Sequence, residues 1–368
     1  MNTRQVLTLG RDYFAAGAAA RLGRGPMFLT QFVTARCPLS CGHCFYADEK
    51  ARADRGAELS LPEFQRLAAA LPPVPKLILT GGEPFVREDL PDIAATFADG
   101  RSRCRQITVP TSGVFPERVA ALVSSLLADR PGLVLEIQLS IDGVGPDHDA
   151  IRGPGTWAAL RETWQRLAAL EPAHPGLVVR FVITFSAATQ HHVEAIARCV
   201  VEDFGCPRVD MVLLRKKSAD PAFWGGMDLA LYSAAASSLA ALERRRGSRL
   251  DPLLACRARL ERAVIAAHHR GEAVLPGCLA GTATAVIGET GALYPCEILP
   301  DSFGDLRAAD FYFWHLWQGA PARDFRRRIA AERCTCTFET NVRTTLSLRP
   351  LVAARAAARL ARRPATQR

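Results

Sequence analysis

The sequence predicts an α/β fold in which a parallel sheet closes part of the way into a barrel. Short apolar, β-branched runs alternate six times with helical patterns, which is the alternation of parallel βα units. Several of the runs end in glycine or polar residues, as "KLILTGGEP" does. The run "LVLEIQLSIDG" has a polar face, which a parallel sheet buried on both faces would lack.

The elements follow from these patterns in chain order. A helix rich in alanine is predicted over residues 5–22, and the helix at 59–71 has Ser60 as N-cap and Glu63 in its first turn. The next helices are predicted near 89–98 and at 116–128, 156–170 and 190–204. The six strands are predicted at 27–34, 76–84, 106–113, 133–143, 177–186 and 208–215.

The polar face of the fourth strand indicates what the barrel contains. Glu136, Gln138 and Ser140 share this face, and Arg180 and Thr184 give the fifth strand a similar one. Either these strands lie at an edge facing water, or they line the lumen of an incompletely closed barrel that holds a polar ligand. Polarity toward the carboxyl ends of two successive strands favours the lumen, because barrel active sites lie at that end.

The residues after the sixth strand predict a smaller unit. Residues 226–271 have helical patterns, the glycine-rich stretch 276–299 predicts a hairpin, and 321–332 predicts another helix. The predicted organisation has an N-terminal helical segment, a barrel, a helical linker with a small module, and a basic helical tail. These four parts cover residues 1–27, 28–225, 226–340 and 341–368.

Composition limits the class of protein. Apolar residues make up 49% and charged residues 23%, an ordinary globular balance. No run of 18 or more apolar residues occurs, and the N-terminus lacks the order of a signal peptide, so we expect a cytoplasmic protein with reduced thiols. Eleven cysteines in a reducing compartment favour metal ligation over disulfides.

The formal charge of +9 is unevenly distributed. Residues 341–368 hold seven arginines and no acidic residue, which leaves +2 for the other 340 residues. The body is therefore nearly neutral and gives no reason to expect nucleic-acid binding. The basic tail is a candidate for contact with a membrane surface or an acidic partner.

Three cysteines follow the first strand in "CPLSCGHC": Cys37, Cys41 and Cys44. Thiolates bind zinc and iron–sulfur clusters alike. Three of them leave a four-iron cluster with one iron open to a small molecule. A redox pair would need only two cysteines, and a zinc site would need a fourth ligand, for which His43 is near but expected to point away.

The spacing Cys-x3-Cys-x2-Cys after a first strand resembles the radical S-adenosylmethionine (radical SAM) superfamily. "GGEP" (Gly81, Gly82, Glu83, Pro84) ends the second strand, where that family binds the amino group of SAM. "TSG" and "SIDG" end the third and fourth strands. The resemblance spans about residues 28–215 and implies a partial (β/α)6 TIM-like barrel.

The resemblance also implies further SAM contacts. Ser112 stands in "TSG" where the family often has asparagine, and Ser140 stands at the family's ribose-contacting position. Arg180 corresponds to a residue that often meets the SAM carboxylate, and Tyr46 to an aromatic that covers adenine. Glu83 is expected to complete the hydrogen bonds of its turn rather than act as an acid or base.

A second cysteine set comprises Cys278, Cys296, Cys334 and Cys336. Its spacing resembles the SPASM and twitch domains, which are C-terminal extensions that hold auxiliary iron–sulfur clusters. Thr340 stands where a common ending of these domains has another cysteine, so we expect a shortened, twitch-like module with one fully ligated auxiliary [4Fe–4S] cluster. A structural zinc held by the same four thiolates is the alternative.

These resemblances imply an oxidoreductase-type enzyme. A reduced [4Fe–4S] cluster would cleave SAM to a 5′-deoxyadenosyl radical, which removes a hydrogen atom from a peptide or small-molecule substrate. The expected electron donor is of flavodoxin or ferredoxin type, and no catalytic acid or base is identified.

The expected function is net oxidation or cross-linking in the maturation of a ribosomal peptide. The first alternative is a dehydrogenase or epimerase of a sugar or aminocyclitol in natural-product biosynthesis. The second is a non-catalytic metal-cluster protein that binds a partner through its basic tail. A SAM pocket separates the enzymes from this last class, because a binding protein does not need one.

Overall fold

Nine strands form one sheet in the computed structural model, which describes residues 3–215, 220–244, 251–275, 277–332 and 336–361. Their order across the sheet is β6-β5-β4-β3-β2-β1-β7-β8-β9. The strands are β1 Phe28–Thr34, β2 Lys76–Gly81, β3 Gln106–Thr111, β4 Val134–Ser140, β5 Leu177–Phe185, β6 Val209–Leu213, β7 Thr284–Ile287, β8 Ala292–Tyr294 and β9 Gly304–Asp305.

Helices follow most of the strands. Those up to β6 are α1 Thr3–Arg21, α2 Ala47–Ala51, α3 Leu61–Ala70, α4 Leu90–Asp99, α5 Pro116–Ala128, α6 Pro146–Arg152, α7 Thr156–Leu170 and α8 Val193–Arg198. Those after β6 are α9 Leu229–Arg244, α10 Asp251–His269, α11 Phe313–Trp317, α12 Ala320–Ala331, α13 Glu339–Leu348 and α14 Pro350–Ala361. None of these helices is both long enough and apolar enough to cross a membrane.

The strands β1 to β6 are neighbours in chain order, and all of their pairings are parallel. Each connection between them carries at least one helix, as the predicted βα alternation requires. This arrangement confirms the partial (β/α)6 barrel.

The two faces of the barrel strands differ as the sequence predicts. On β4, Leu135, Ile137 and Leu139 are fully buried in the core shared with the surrounding helices. Glu136 lies on the other face and accepts hydrogen bonds from side chains of β3 and β5, among them Arg180 at 3.2 Å. Bonds across three adjacent strands mark this polar face as the lumen rather than an edge facing water.

The predicted hairpin is formed by β7 and β8, which pair antiparallel. It does not form a sheet of its own, because β7 also pairs in parallel with β1, with Phe28 opposite Thr284. The pairing covers the edge of β1, whose amide and carbonyl groups would otherwise lack partners. The predicted division of the chain at residues 225 and 340 stays a prediction.

The helix predicted at 190–204 begins later, at Val193, and its last five residues are π-helical rather than α-helical. Residues 186–192 form turns, in which the amide of Gln190 donates to the carbonyl of Ser186 and the amide of His192 to that of Thr189. α8 follows, and Cys199–Asp203 form a π-helical turn. The basic tail predicted over 341–368 contains most of α13 and all of α14.

Candidate active site

The first cysteine loop follows β1 at the carboxyl end of the barrel. Cys37, Cys41 and Cys44 are all half-buried. The amide of Cys44 donates to the carbonyl of Cys41 over 3.1 Å, and the amide of Leu39 lies 3.4 Å from the Sγ of Cys37. Burial, opposed by the hydrogen bond from the Leu39 amide and reinforced by nearby Glu83 and Cys41, raises the pKa of Cys37 to about 11. A bound cation would reverse this effect, since a metal deprotonates the thiols that coordinate it.

The described residues contain no group of three or more His, Cys, Asp or Glu close enough to hold a single metal ion. A four-iron cluster does not require such closeness, because each thiolate binds a different iron.

The two glycines of "GGEP" lie against the backbone that leads into the cysteine loop. A Cβ on Gly81 would lie 2.0 Å from the carbonyl oxygen of Thr34, and one on Gly82 would lie 2.3 Å from that of Arg36. The amide of Gly82 donates to Thr34 and that of Glu83 to Arg36, each over 2.9 Å. Glycine is therefore required here so that two backbone segments can approach each other.

Glu83 joins the ends of β2 and β3. Its carboxylate accepts hydrogen bonds from the amide of Ser112 at 2.8 Å, from the Ser112 hydroxyl at 2.5 Å and from the Thr111 hydroxyl at 2.8 Å. The amide of Phe85 adds a bond of 3.3 Å within the turn, which begins at buried Pro84. Burial raises the pKa of Glu83 and these bonds oppose the rise. The expectation that Glu83 completes the hydrogen bonds of its turn is confirmed.

Asp142 of "SIDG" is a residue that the sequence analysis missed. Its buried carboxylate accepts a hydrogen bond of 2.7 Å from Arg152 and one of 2.8 Å from the amide of Thr184. The Nε2 of His43 lies 3.3 Å from the same carboxylate. Asp142 therefore ties the cysteine loop to β4 and β5. A usable signal was an acidic residue two positions beyond a strand that ends among candidate site residues.

His43 points toward Asp142, as expected for a histidine directed away from a shared metal centre. Burial lowers the pKa of His43 to about 4, although Asp142 acts in the opposite direction. The imidazole is therefore neutral near pH 7, and its 3.3 Å approach to Asp142 is not an ion pair between two charged groups.

The other predicted SAM contacts are dispersed. Ser140 ends β4 and is half-buried. Arg180 lies lower in the barrel, opposite Gln138, and donates to Glu136. Tyr46 stacks on Phe32 with 4.6 Å between ring centroids, and its hydroxyl donates to Glu289 over 2.5 Å. The structure does not bring Arg180 together with the glycine turn, and the SAM contacts assigned to these three residues stay predictions.

The second cysteine set is described in part, since Cys334 lies outside the described residues. The amide of Ala280 lies 3.4 Å from the Sγ of Cys278, and that of Leu299 lies 3.4 Å from the Sγ of Cys296. Amide bonds to sulfur are typical of thiolates that hold iron–sulfur clusters. The amide of Gly281 donates to the carbonyl of Pro295 over 3.2 Å, which brings the two loops together.

His268 connects the third described cysteine of this set to the same region. It is buried where α10 packs against α13. Its Nε2 accepts from the amide of Leu275 over 3.3 Å, so its Nδ1 donates to the carbonyl of Cys336, 2.8 Å away.

Arg215 links the two cysteine sets at the carboxyl end of β6. Its guanidinium pairs with the carboxylate of Glu297, which follows Cys296 in the chain. The same group lies 4.5 Å from the ring centroid of Phe45, next to Cys44, and 4.5 Å from that of Phe338. Only 6% of the Glu297 side chain is exposed, so this carboxylate is not a solvated surface group.

Comparison with known families identifies the barrel. Residues 32–199 match the sequence profile of the Radical SAM superfamily. The matched segment contains the cysteine loop, the "GGEP" turn and Asp142. The chain contains a radical SAM domain. Such a domain uses a [4Fe–4S] cluster and SAM, which it cleaves reductively.

Two relatives of the radical SAM domain differ in how much of the chain they cover. AdoMet-dependent heme synthase of Methanosarcina barkeri is 25% identical over 311 residues, or 80% of this chain and 83% of the synthase. PqqA peptide cyclase of Granulibacter bethesdensis is 40% identical over 160 residues, or 43% of this chain and 40% of the cyclase.

Solved structures share the fold beyond the radical SAM domain. Native anSMEcpe with bound AdoMet has a TM-score of 0.59 at 14% identity and covers 91% of this chain and 98% of that chain. SuiB of Streptococcus suis bound to S-adenosylmethionine has a TM-score of 0.58 at 15% identity. The match covers 82% of this chain and 68% of the SuiB chain. At these identities the likeness concerns the fold.

The residues of the radical SAM domain fit its cofactors. Three half-buried thiols on one loop can bind three irons and leave the fourth for SAM. The loop is fixed on one side by the glycine turn of "GGEP" and on the other by Asp142.

Proposed function

We propose that this protein uses SAM cleavage to remove hydrogen from a ribosomally made peptide, with net two-electron oxidation as dehydrogenation or cross-linking. The observation that carries the proposal is the Arg215–Glu297 pair, which joins the loops of both cysteine sets at the carboxyl end of the barrel. A substrate bound there would lie between the SAM site and a second metal centre.

Each cysteine set has a part in this proposal. Cys37, Cys41 and Cys44 would hold the cluster that, with an electron from a flavodoxin or ferredoxin type of donor, supplies the radical chemistry of SAM. The second set, Cys278, Cys296, Cys334 and Cys336, would hold an auxiliary [4Fe–4S] cluster. Four thiolates leave no iron open, so that cluster would supply electron acceptance or structural support rather than a substrate site.

The remaining described cysteines favour oxidation over epimerisation. An epimerase needs a hydrogen donor near the substrate, often a thiol. Cys104 and Cys206 are buried just before β3 and β6, at the amino end of the barrel, and Cys199 is buried in the π-helical turn. Cys256 is exposed on α10. None of these four lies at the carboxyl ends of the strands.

The relatives support a peptide substrate. One of them is named PqqA peptide cyclase. The similar folds include native anSMEcpe with bound AdoMet and Cp18Cys peptide and SuiB bound to precursor peptide SuiA. A small-molecule substrate is the second candidate, because the heme synthase relative spans far more of the chain than the peptide cyclase does.

Product mass tests the proposal. The reconstituted protein is incubated anaerobically with SAM, dithionite and either peptides encoded by neighbouring genes or candidate small molecules. We expect 5′-deoxyadenosine and methionine, and a peptide lighter by about 2 Da, the mass of two hydrogen atoms. S-adenosylhomocysteine alone would indicate methyl transfer. Unchanged mass in ordinary water, with deuterium incorporated at carbon in heavy water, would indicate epimerisation.

A single substitution tests the role of the second cysteine set. Cys334→Ala should block the oxidised product while 5′-deoxyadenosine still forms, with circular dichroism as the check that the fold survives. Full product formation by this variant would remove the auxiliary cluster from the proposal.

A further inference from the structure

A cavity of about 860 Å³ lies at the amino end of the barrel. Its walls include Phe28, Lys76 and Gln106, which are the first residues of β1, β2 and β3. The cysteine loop lies at the opposite end of the same strands, so this cavity is separate from the candidate active site. Residues of α1, α10, α13 and α14 contribute to its other walls.

The walls of this amino-end cavity have two kinds of surface. The apolar part combines side chains from α1, β1, β2, α13 and the residue before β1, namely Leu9, Phe14, Met27, Phe28, Ile78 and Leu348. The charged part is entirely basic: Arg21, Lys76, Arg257 and Arg343 line the cavity, and no described Asp or Glu does. Such a surface suits a ligand with an apolar body and a negative group.

The acidic residues behind this wall are already paired. Glu261 accepts a hydrogen bond of 2.9 Å from Arg343. Glu136 accepts one of 3.2 Å from Arg180 and lies 3.9 Å from the Nζ of Lys76. Arg257 makes no ion pair with any described residue, although it lies near these groups.

The crowding of positive charge around the cavity is unfavourable. Burial lowers the pKa of Lys76, and Arg343, Arg180 and Arg257 lower it further against the pull of Glu136. Partial desolvation of the Arg257 side chain, which stays exposed on one side, and the nearby Arg343 also lower the pKa of Arg257. An anion beside Arg257 would relieve this repulsion and gain charge-assisted hydrogen bonds.

We propose that the amino-end cavity binds the carboxylate of an apolar chain, with Arg257 and Lys76 at the carboxylate and the Phe28 and Leu348 wall along the chain. The volume lies within the range of small-ligand sites, about 300–1,000 Å³. A fatty acid and the free C-terminus of an apolar peptide share this chemistry. The site does not depend on the proposed reaction.

Calorimetric titration of the reconstituted full-length protein tests the site. Sodium decanoate below its micelle concentration and an apolar tetrapeptide with a free C-terminus are the two probes. Binding of either one at one molecule per chain supports the proposal and shows which source fits. Decanol and the amidated tetrapeptide should bind at least about tenfold more weakly, which corresponds to about 1.4 kcal/mol.

Three variants distinguish binding at the amino-end cavity from nonspecific binding of amphiphiles. Arg257→Gln should weaken carboxylate binding about tenfold. Arg259→Gln, an exposed position on the same helix that does not line the cavity, should leave it unchanged. Ala18→Trp, at an exposed position of α1 on the cavity wall, should block binding without disturbing the core. Equal binding by Arg257→Gln and Arg259→Gln, equal binding of neutral and charged probes, or no binding would overturn the proposal.

Discussion

Arg152 donates a hydrogen bond of 2.7 Å to the carboxylate of Asp142, and both side chains are buried at the carboxyl end of the barrel. The carbonyl oxygen of Arg152 lies 3.9 Å from the Sγ of Cys41. The pair therefore connects the end of β4 to the loop that would hold the SAM-binding cluster. The stability of the fold and the retention of that cluster should therefore be linked.

Asp142→Asn should weaken both the fold and the first cluster. It leaves Arg152 buried without its counter-charge, a change that typically costs about 3–5 kcal/mol. Urea unfolding and iron content after anaerobic reconstitution measure the two effects. Asp147→Asn, at an exposed position five residues on, is the matched control. Wild-type iron content and stability in Asp142→Asn would show that the pair does not support the loop.

The two cysteine sets should hold separate clusters. We expect about 8 Fe per chain after reconstitution, since each four-iron cluster contributes half. Replacing Cys37, Cys41 and Cys44 by alanine should leave about half of the iron and abolish SAM cleavage. Iron analysis and chromatography of 5′-deoxyadenosine are the measurements. Zinc recovered with the second set would contradict the auxiliary-cluster assignment.

Glu83→Ala should lower SAM affinity more than iron content. The carboxylate accepts four hydrogen bonds that order the "GGEP" turn and Ser112, whereas the cysteines themselves remain. Glu83→Gln keeps the shape but not all of the acceptors, so it should cost about 1–3 kcal/mol in stability. Equilibrium SAM binding and iron analysis separate the effects. Equal loss of SAM and iron would mean that the turn is only structural.

Arg215→Met should destabilise the protein by leaving Glu297 buried and unpaired. Breaking a buried pair costs about 3–5 kcal/mol, and we expect the lower end because 21% of the Arg215 side chain is exposed. Arg215→Met combined with Glu297→Gln should recover most of the loss. A double-mutant cycle by urea unfolding measures the coupling. Additive losses would show that the pair contributes nothing as a pair.

The ion pair between Glu63 and Arg307 should make stability depend on pH in the acid range. Arg307 lowers the pKa of Glu63 to about 2, below the ordinary value of 4.5. A carboxyl whose pKa is lowered by folding contributes stability above its unfolded pKa and loses it as the pH falls through its folded pKa. The contribution is therefore full above about pH 5 and is lost toward pH 2.

Glu63→Gln should reveal this contribution. The pair is partly exposed, so the variant should lose about 1 kcal/mol at pH 6. That difference from wild type should shrink by more than half at pH 3. Chemical unfolding at both pH values measures it, with Glu202→Gln, an exposed residue outside this contact, as control. A constant difference across this range would contradict the lowered pKa.

The barrel strands could be predicted because each is a local pattern. The runs that became β2, β4 and β5 are short and rich in apolar residues, and the structure reproduces them within a few residues. The lumen and the bonds of Glu83 were also predictable, since neighbouring parallel strands present their carboxyl ends together.

The residues that sequence reasoning missed depend on contacts between distant segments. Arg215 and His268 have no local signal of their own, and the signal of Asp142 does not identify its partners. Their roles arise because a polar side chain that is buried must find a partner, and the partner is set by strand register and helix packing. The parallel pairing of β7 with β1 joins residues more than 250 positions apart and could not be read from either segment.

The sequence by itself determined the alternation of strands and helices, the two cysteine sets and the order of the turns around the first set. These follow from side-chain periodicity and from thiolate chemistry, which act over a few residues. The tertiary structure alone decided that the hairpin extends the barrel sheet, that Arg215 joins the loops of both cysteine sets, and that a basic cavity lies at the amino end. Those features depend on which buried charges and strand edges meet after the chain has folded, because only burial forces distant polar groups to pair.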